Sequence, residues 1–404
     1  MTAFTSTSDA SMDNTAQALQ KLDRLEGYLL QDSSNLPLLA DAFQTALRCS
    51  QWERAAFHLR HAQALQPQSQ AWALREADLY LAQSDYAKAS EVLQALQAMP
   101  AQPPEFADAV LHNLAFIQLQ SHGPTACVDA LRAHMESPQA PAPQPALARL
   151  WLRALHHARQ PEQATDWARA FEARNLLVPS VAGPASLAAL DANCMAEAQR
   201  WSNLALQQAE ADDAPIEALV TQSSLALAAN NAPQAQAAAE AALRINPQDG
   251  RAWSALAFAS LLAGQFPTAR QQFAQALSAM PQHIGTWHGQ GWTQIVQQDL
   301  EGAKRSFESA LALDRNFAES HGGLAVACAL GQDTSGAQLH IDRALRLDPA
   351  NLSGRFAQAV LEAGINDPQS FQRLVKRLLT NQSGPLGESV LDLVSKASTP
   401  KGTS

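Results

Sequence analysis

The chain has 404 residues, room for two or three ordinary domains or for one long solenoid. Its formal net charge of -10 repels phosphate backbones, which sets nucleic acid aside as the expected partner. Cys49, Cys127, Cys194 and Cys328 lie far apart with no C-x-x-C spacing, so neither a zinc site nor a disulfide framework is expected.

In chain order, residues 1–13 are small and polar and are expected to be a disordered N-terminus. The start lacks a basic stretch followed by an apolar one, so no secretory signal is read there. No run of about 18 apolar residues occurs, so no membrane span is expected and a cytoplasmic location is the expectation. Helix is predicted from near Asn14, where Leu19, Leu22, Leu25, Tyr28 and Leu29 recur at helical spacing. This helix is expected to cap the open N-terminal end of a stack of helical pairs.

Residues 14–137 hold that cap and three helical pairs. The first spans 36–69, with Ala55, Leu59 and Ala62 on its second helix, Trp52 in the turn and Pro67 at its close. The second pair has Trp72, Leu79 and Tyr80 on its first helix and Ser84-Asp85-Tyr86 at the turn. Ala89, Leu93 and Leu96 succeed the first pair's positions by 34 residues. The third is read from Ala126, Ala130, Ala133 and Pro138, its step lengthened by residues 99–105. Four prolines then fall between Pro138 and Pro145 and stop any helix, leaving either a long loop or a hinge at 138–145.

Residues 146–215 read as two degenerate repeats. The fourth pair shows Leu147, Leu150, Trp151 and Leu155, then Ala164, Ala168 and Phe171. Residues 178–186 read as an irregular loop, leaving the fifth pair a short first helix, Pro184–Asp191, and a second with Ala198, Ser202 and Ala205.

From residue 216 the spacing is strict, and 216–380 is expected to hold four regular pairs and a C-terminal capping pair. The sixth pair has Ala235, Ala239, Ala242 and Pro247. Ala269-x3-Phe273-x2-Ala276 then becomes Ala303-x3-Phe307-x2-Ala310 and Ala337-x3-Ile341-x2-Ala344, at a step of 34. Trp253 and Trp287 open two of these units; Pro281 and Pro349 close two. The capping pair is predicted at 351–364 and 368–380, its second helix carrying Phe371, Leu374, Val375 and Leu378 with Arg373, Lys376 and Arg377. Residues 381–404 are expected to be a mostly flexible tail.

Chemistry-bearing motifs are sparse. No phosphate loop, G-x-S-x-G or H-E-x-x-H occurs, so no enzyme and no cofactor are expected. His58 and His61 share a helix face but lack a third ligand, and they read as surface histidines rather than a metal site. His288 and His321 fall near one another on successive first helices, where a shared surface is one option and a metal site is not expected. Trp253 and Trp287 are expected to pack within or between units.

The 34-residue step with its Ala-x3-Phe-x2-Ala signature and closing prolines resembles the tetratricopeptide repeat family. The resemblance implies an all-α, right-handed superhelical α-solenoid of stacked antiparallel helix pairs, about nine repeats plus terminal capping helices. It implies a non-enzymatic scaffold whose first helices line a groove for a protein or peptide partner. By register, the candidate groove residues are Arg251, Phe258, Leu262, His288, Gly289, Trp292, Ile295, Gly322, Gly323, Val326 and Phe356. Phe258 and Trp292 are the expected anchors, because aromatic groups carry much of an interface's energy. Mid-helix glycine costs about 1 kcal/mol against alanine, so the glycines either admit partner side chains or let first helices pack closely. Arg149 and Arg153 are candidate contacts for an acidic segment.

Some family members clamp a partner's C-terminal carboxylate with Lys, Asn and Arg. Arg251 matches one such place, but Ser254, Ala255 and Gly289 stand at its neighbours, so that activity is not carried over. Two roles stay open: a chaperone or assembly factor for an amphipathic segment, and a regulatory or docking subunit of an enzyme acting in trans, for example in sugar transfer or envelope polysaccharide assembly.

Overall fold

A computed structural model of the protein describes residues 6–100, 102–137, 141–207, 209 and 213–363. These hold twenty helices, with no strand among the described residues. The chain divides into two compact units, Met1–Ala192 and Asn193–Ser404.

The first unit begins with α1 (Ser6–Leu29), which starts upstream of the expected Asn14. Four pairs come next: α2 and α3 (Leu36–Arg48, Trp52–Leu65), α4 and α5 (Gln70–Ala82, Tyr86–Gln97), α6 and α7 (Pro104–His122, Pro124–Met135), α8 and α9 (Pro145–His157, Pro161–Ala173). Helix α10 (Pro179–Asp191) packs on α8 and α9. The second unit opens with α11 (Met195–Leu206), which packs on α12. Its pairs are α12 and α13 (Ile216–Ala228, Ala232–Ile245), α14 and α15 (Gly250–Leu262, Phe266–Ala279), α16 and α17 (Ile284–Val296, Leu300–Leu313), α18 and α19 (Ala318–Leu330, Thr334–Leu347). Helix α20 (Leu352–Ala363) packs on α18 and α19. The second helix of the expected capping pair, 368–380, and the tail lie outside the described residues.

One turn makes most of the pairs. Three residues join the helices, and the middle one is left-handed: Ser50, Ser84, Arg159, Asn230, Gly264, Gln298 and Gln332 have φ between 55° and 73°. The third residue closes the preceding helix by donating its N–H five residues back, as Asp299 does to Gln294 and Asp333 to Cys328. The same residue then caps the next helix: the Asp299 and Asp333 carboxylates accept the N–H of Gly302 and Gly336, each at 2.9 Å. The stop signal of one helix and the start signal of the next are thus one residue, which forces a tight reversal.

A second recurring contact fixes the joints between pairs. Trp253 and Trp287 donate Nε1–H at 2.8 Å to the carbonyls of Pro247 and Pro281. His321 and Arg355 hold the same register and bond the carbonyls of Arg315 and Pro349. The two tryptophans are half-buried and staple each first helix to the loop before it.

The repeated small residues are buried where the spacing puts them. Ala269, Phe273, Ala276, Ala303, Phe307, Ala310, Ala337 and Ala344 have no exposed surface, and Ile341 is 2% exposed. The alanines let neighbouring helices approach, and the two phenyl rings fill the space between successive pairs. Leu22 and Leu29 of α1 join the core of the first pair, while Tyr28 stays exposed.

Several expectations change. In the third pair the inward residues are Cys127, Leu131 and Met135; Ala130 and Ala133 are exposed. Helices α6 and α7 are joined by Gly123 alone, at φ 89°, so the inward face of α7 is rolled relative to its neighbours. Of the stretch 178–186, all but Val178 is helical. Pro179 occupies the first turn of α10, and Pro184 sits inside it at the loss of one backbone bond. Burial of Val181 through Ala189 offsets that loss. His58 is not at the surface: it is 3% exposed, with Nε2 at 2.9 Å from Glu26 on α1. Arg54 holds the same carboxylate and keeps it below the usual carboxylate range. The Pro-rich loop is tied down at its end, where the Gln144 N–H donates to Asp108 on α6 at 2.6 Å.

Candidate functional site

The strict register of the second unit sets α14 and α16 so that the same helix positions repeat along one face. Phe258 and Trp292 occupy equivalent places, and both are half-buried. Each stands edge-on to the buried phenyl ring of its own pair. Phe258 meets Phe273 at 4.9 Å and 85°, and Trp292 meets Phe307 at 5.7 Å and 76°. A core ring therefore orients each surface ring. Arg251, Leu262, His288 and Phe356 are half-buried as well.

The remaining expected groove residues are inside. Gly289, Gly322, Gly323, Ile295 and Val326 are buried. Ile295 is one place off register; Val296 is the half-buried equivalent of Leu262. The glycines make room for this chain's own helices. A Cβ on Gly289 would run into the Phe273 ring and stand 2.9 Å from Phe258. One on Gly323 would run into Phe307. One on Gly322 would stand 2.6 Å from the Ser353 Cβ and 3.2 Å from the Gly354 backbone nitrogen. Helix α20 thus lies close upon α18, every residue of which is buried from Ser320 to Ala329. The apolar surface is carried by α14, α16 and α20.

A polar seam holds these first helices in register. Ser254 and Thr286 hydroxyls are 3.0 Å apart, His288 Nε2 is 2.7 Å from the Ser320 hydroxyl, and Asn351 donates to Glu319 at 2.9 Å. Each bond joins residues 32 positions apart. Ser353 also donates to Glu319. Burial raises the Glu319 carboxyl above the usual range, against its two hydrogen bonds. Burial, with a smaller effect of His283, lowers His288 to about 4, so the ring is neutral at pH 7. Of these seam residues the candidate groove set above holds His288 alone. The recurring 32-residue offset between polar residues, inside a 34-residue repeat, is the signal for the rest.

His288 and His321 do not meet. His288 lies between the rings of Phe307 and Phe317, whereas His321 stacks on His340. In the first unit, Arg149 is half-buried and Arg153 exposed on α8. No cluster of three metal-ligating side chains occurs among the described residues, and no described helix is long and apolar enough to cross a membrane.

Tetratricopeptide repeat family models match residues 226–289 and 288–365. Among solved structures, a chain of the APC/C hetero-tetramer Cut9-Hcn1 is 14% identical with a TM-score of 0.41, over 88% of this chain and 83% of that one. YrrB, described as a TPR protein with an unusual peptide-binding site, is 16% identical with a TM-score of 0.36, over 47% of this chain and 96% of that one. No curated protein matches. With its signature residues buried at the 34-residue step and two consecutive family matches over 226–365, that segment is built of tetratricopeptide repeats, and the all-helical chain has the architecture of a protein-interaction scaffold.

Proposed function

We propose that the second unit binds a partner protein through one short apolar or amphipathic segment laid across α14, α16 and α20, as a chaperone or assembly factor does. One observation carries this reading. Phe258 and Trp292 repeat at the same place on successive first helices, stay half-exposed, and are each oriented by a core phenyl ring. Aromatic groups held rigid at a surface lose little entropy on binding and concentrate interface energy. Leu262, Val296 and Phe356 extend the apolar surface around them.

The test is affinity capture from native lysate by the wild type and by Phe258→Asp, then binding of an isolated peptide from any captured partner. The reading expects Phe258→Asp and Trp292→Ala to lose the partner and the peptide while far-ultraviolet circular dichroism stays unchanged. Capture of the same folded partner by all three proteins supports instead a docking subunit that uses another surface.

A further inference from the structure

The second helices carry a separate feature. The C-terminal halves of α17 and α19 and the loop before α18 line an open, shallow pocket of about 560 Å³. Three guanidinium groups line it, those of Arg315, Arg343 and Arg346, together with Leu311 and Leu347. None of the three guanidinium groups forms an ion pair or hydrogen bond with a described residue. Two other cations of this unit are engaged within the chain: Arg270 pairs with Asp299, and Lys304 with Glu301. One acidic side chain, Glu308, shares the pocket wall without pairing. Uncompensated positive charge is thus gathered at one place in a chain of net charge -10.

The pocket is held in shape from behind. His321, buried at its edge, bonds through Nε2 to the Arg315 carbonyl at 3.1 Å. A neutral ring that donates there must accept at Nδ1, so His340, with its Nδ1 at 3.1 Å, is the donor of that bond. The two rings stack at 5.3 Å and 29°. Burial lowers both, His340 to about 4, and the nearby Arg343 charge adds to the effect, so both are neutral at pH 7. The pair pins the backbone that bears Arg315.

We propose that this pocket docks an acidic peptide segment with a large apolar side chain between its carboxylates. The carboxylates meet the three arginines, whose planar forks match carboxylate geometry. The apolar side chain covers Leu311 and Leu347, of which Leu347 is 43% exposed. A bare inorganic anion would leave those leucines in water, which favours the peptide. The site lies on second helices and is distinct from the surface of Phe258 and Trp292.

The experiment is fluorescence anisotropy on the full chain with a fluorescein-labelled hexapeptide of two leucines flanked by glutamate pairs. The expected result is saturable binding that weakens at least about tenfold in R343E/R346E, about tenfold when serines replace the leucines, and steeply from ~50 to ~500 mM NaCl. Trp292→Ala should leave it unchanged. R343Q/R346Q removes charge without reversing it and should weaken binding in the same direction; equal melting curves establish that each variant folds. No binding at ~1 mM protein, or wild-type affinity in both double variants, overturns the proposal. So does equal binding of the serine peptide together with displacement by tripolyphosphate, which would mark a site for anions alone.

Discussion

Phe307 and Gly323 are a matched pair, because the phenyl ring occupies the volume that any β-carbon at 323 would take. Gly323→Ala should therefore cost about 1–3 kcal/mol by overpacking, even though alanine favours helix. Phe307→Ala should cost about 3–5 kcal/mol through the cavity it leaves, and Ala303→Leu about 1–3 kcal/mol, since Ala303 has no exposed surface. Urea unfolding of the three variants measures these losses; unchanged midpoints would contradict the register. His288 sets a pH dependence. Its folded value is lowered from 6.5 to about 4, so between those limits the unfolded chain binds the proton more readily. Its contribution to stability is complete above pH 6.5 and falls as pH drops toward 4, by at most about 3 kcal/mol. His340 acts in the same direction. Glu319, raised by burial, acts in the opposite one, its contribution being lost as pH rises through its folded value. His288→Asn should flatten the stability curve between pH 6.5 and 4 relative to wild type, read from urea midpoints across that range.

The three-residue turn inside most pairs is the element that the sequence announces least. Gly264 holds the left-handed position that Gln298 and Gln332 hold elsewhere. A side chain there costs about 1–2 kcal/mol, so Gly264→Ala should lower the melting temperature and Gln298→Gly should leave it equal or higher. The reverse order would contradict the shared turn geometry. Elements with the period-34 signature were legible because alanine and phenylalanine recur where helices must touch. The roll of α7 was not, because a one-residue connection at Gly123 replaces the usual turn and moves the inward face by one position. The helix through Pro184 was hidden for another reason: proline is a stop signal locally, and burial of the whole helix against α8 and α9 overrode it. At the candidate face, spacing found Phe258 and Trp292. It could not tell a glycine that makes room for a partner from one that makes room for Phe307 or for α20, since that depends on a side chain tens of residues away.

At the scale of the whole molecule, the two compact units each bury a run of small and apolar side chains between neighbouring helices. Stability in such an array is dominated by contacts between adjacent repeats. Hydrogen exchange on Phe307→Ala should thus show lost protection concentrated in α16 to α20, with α2 to α5 little changed; uniform loss along the chain would contradict a nearest-neighbour array. The functional claim belongs to this scale as well, because the proposed surface exists only where the first helices stack in register, α14 against α16, α16 against α18 and α18 against α20. Its most direct measurement is the affinity of a captured partner's peptide for the wild type and for Trp292→Ala at equal fold, read by isothermal titration. Removal of that one indole should cost at least about 2 kcal/mol in binding free energy. Equal affinities for the two proteins would contradict it.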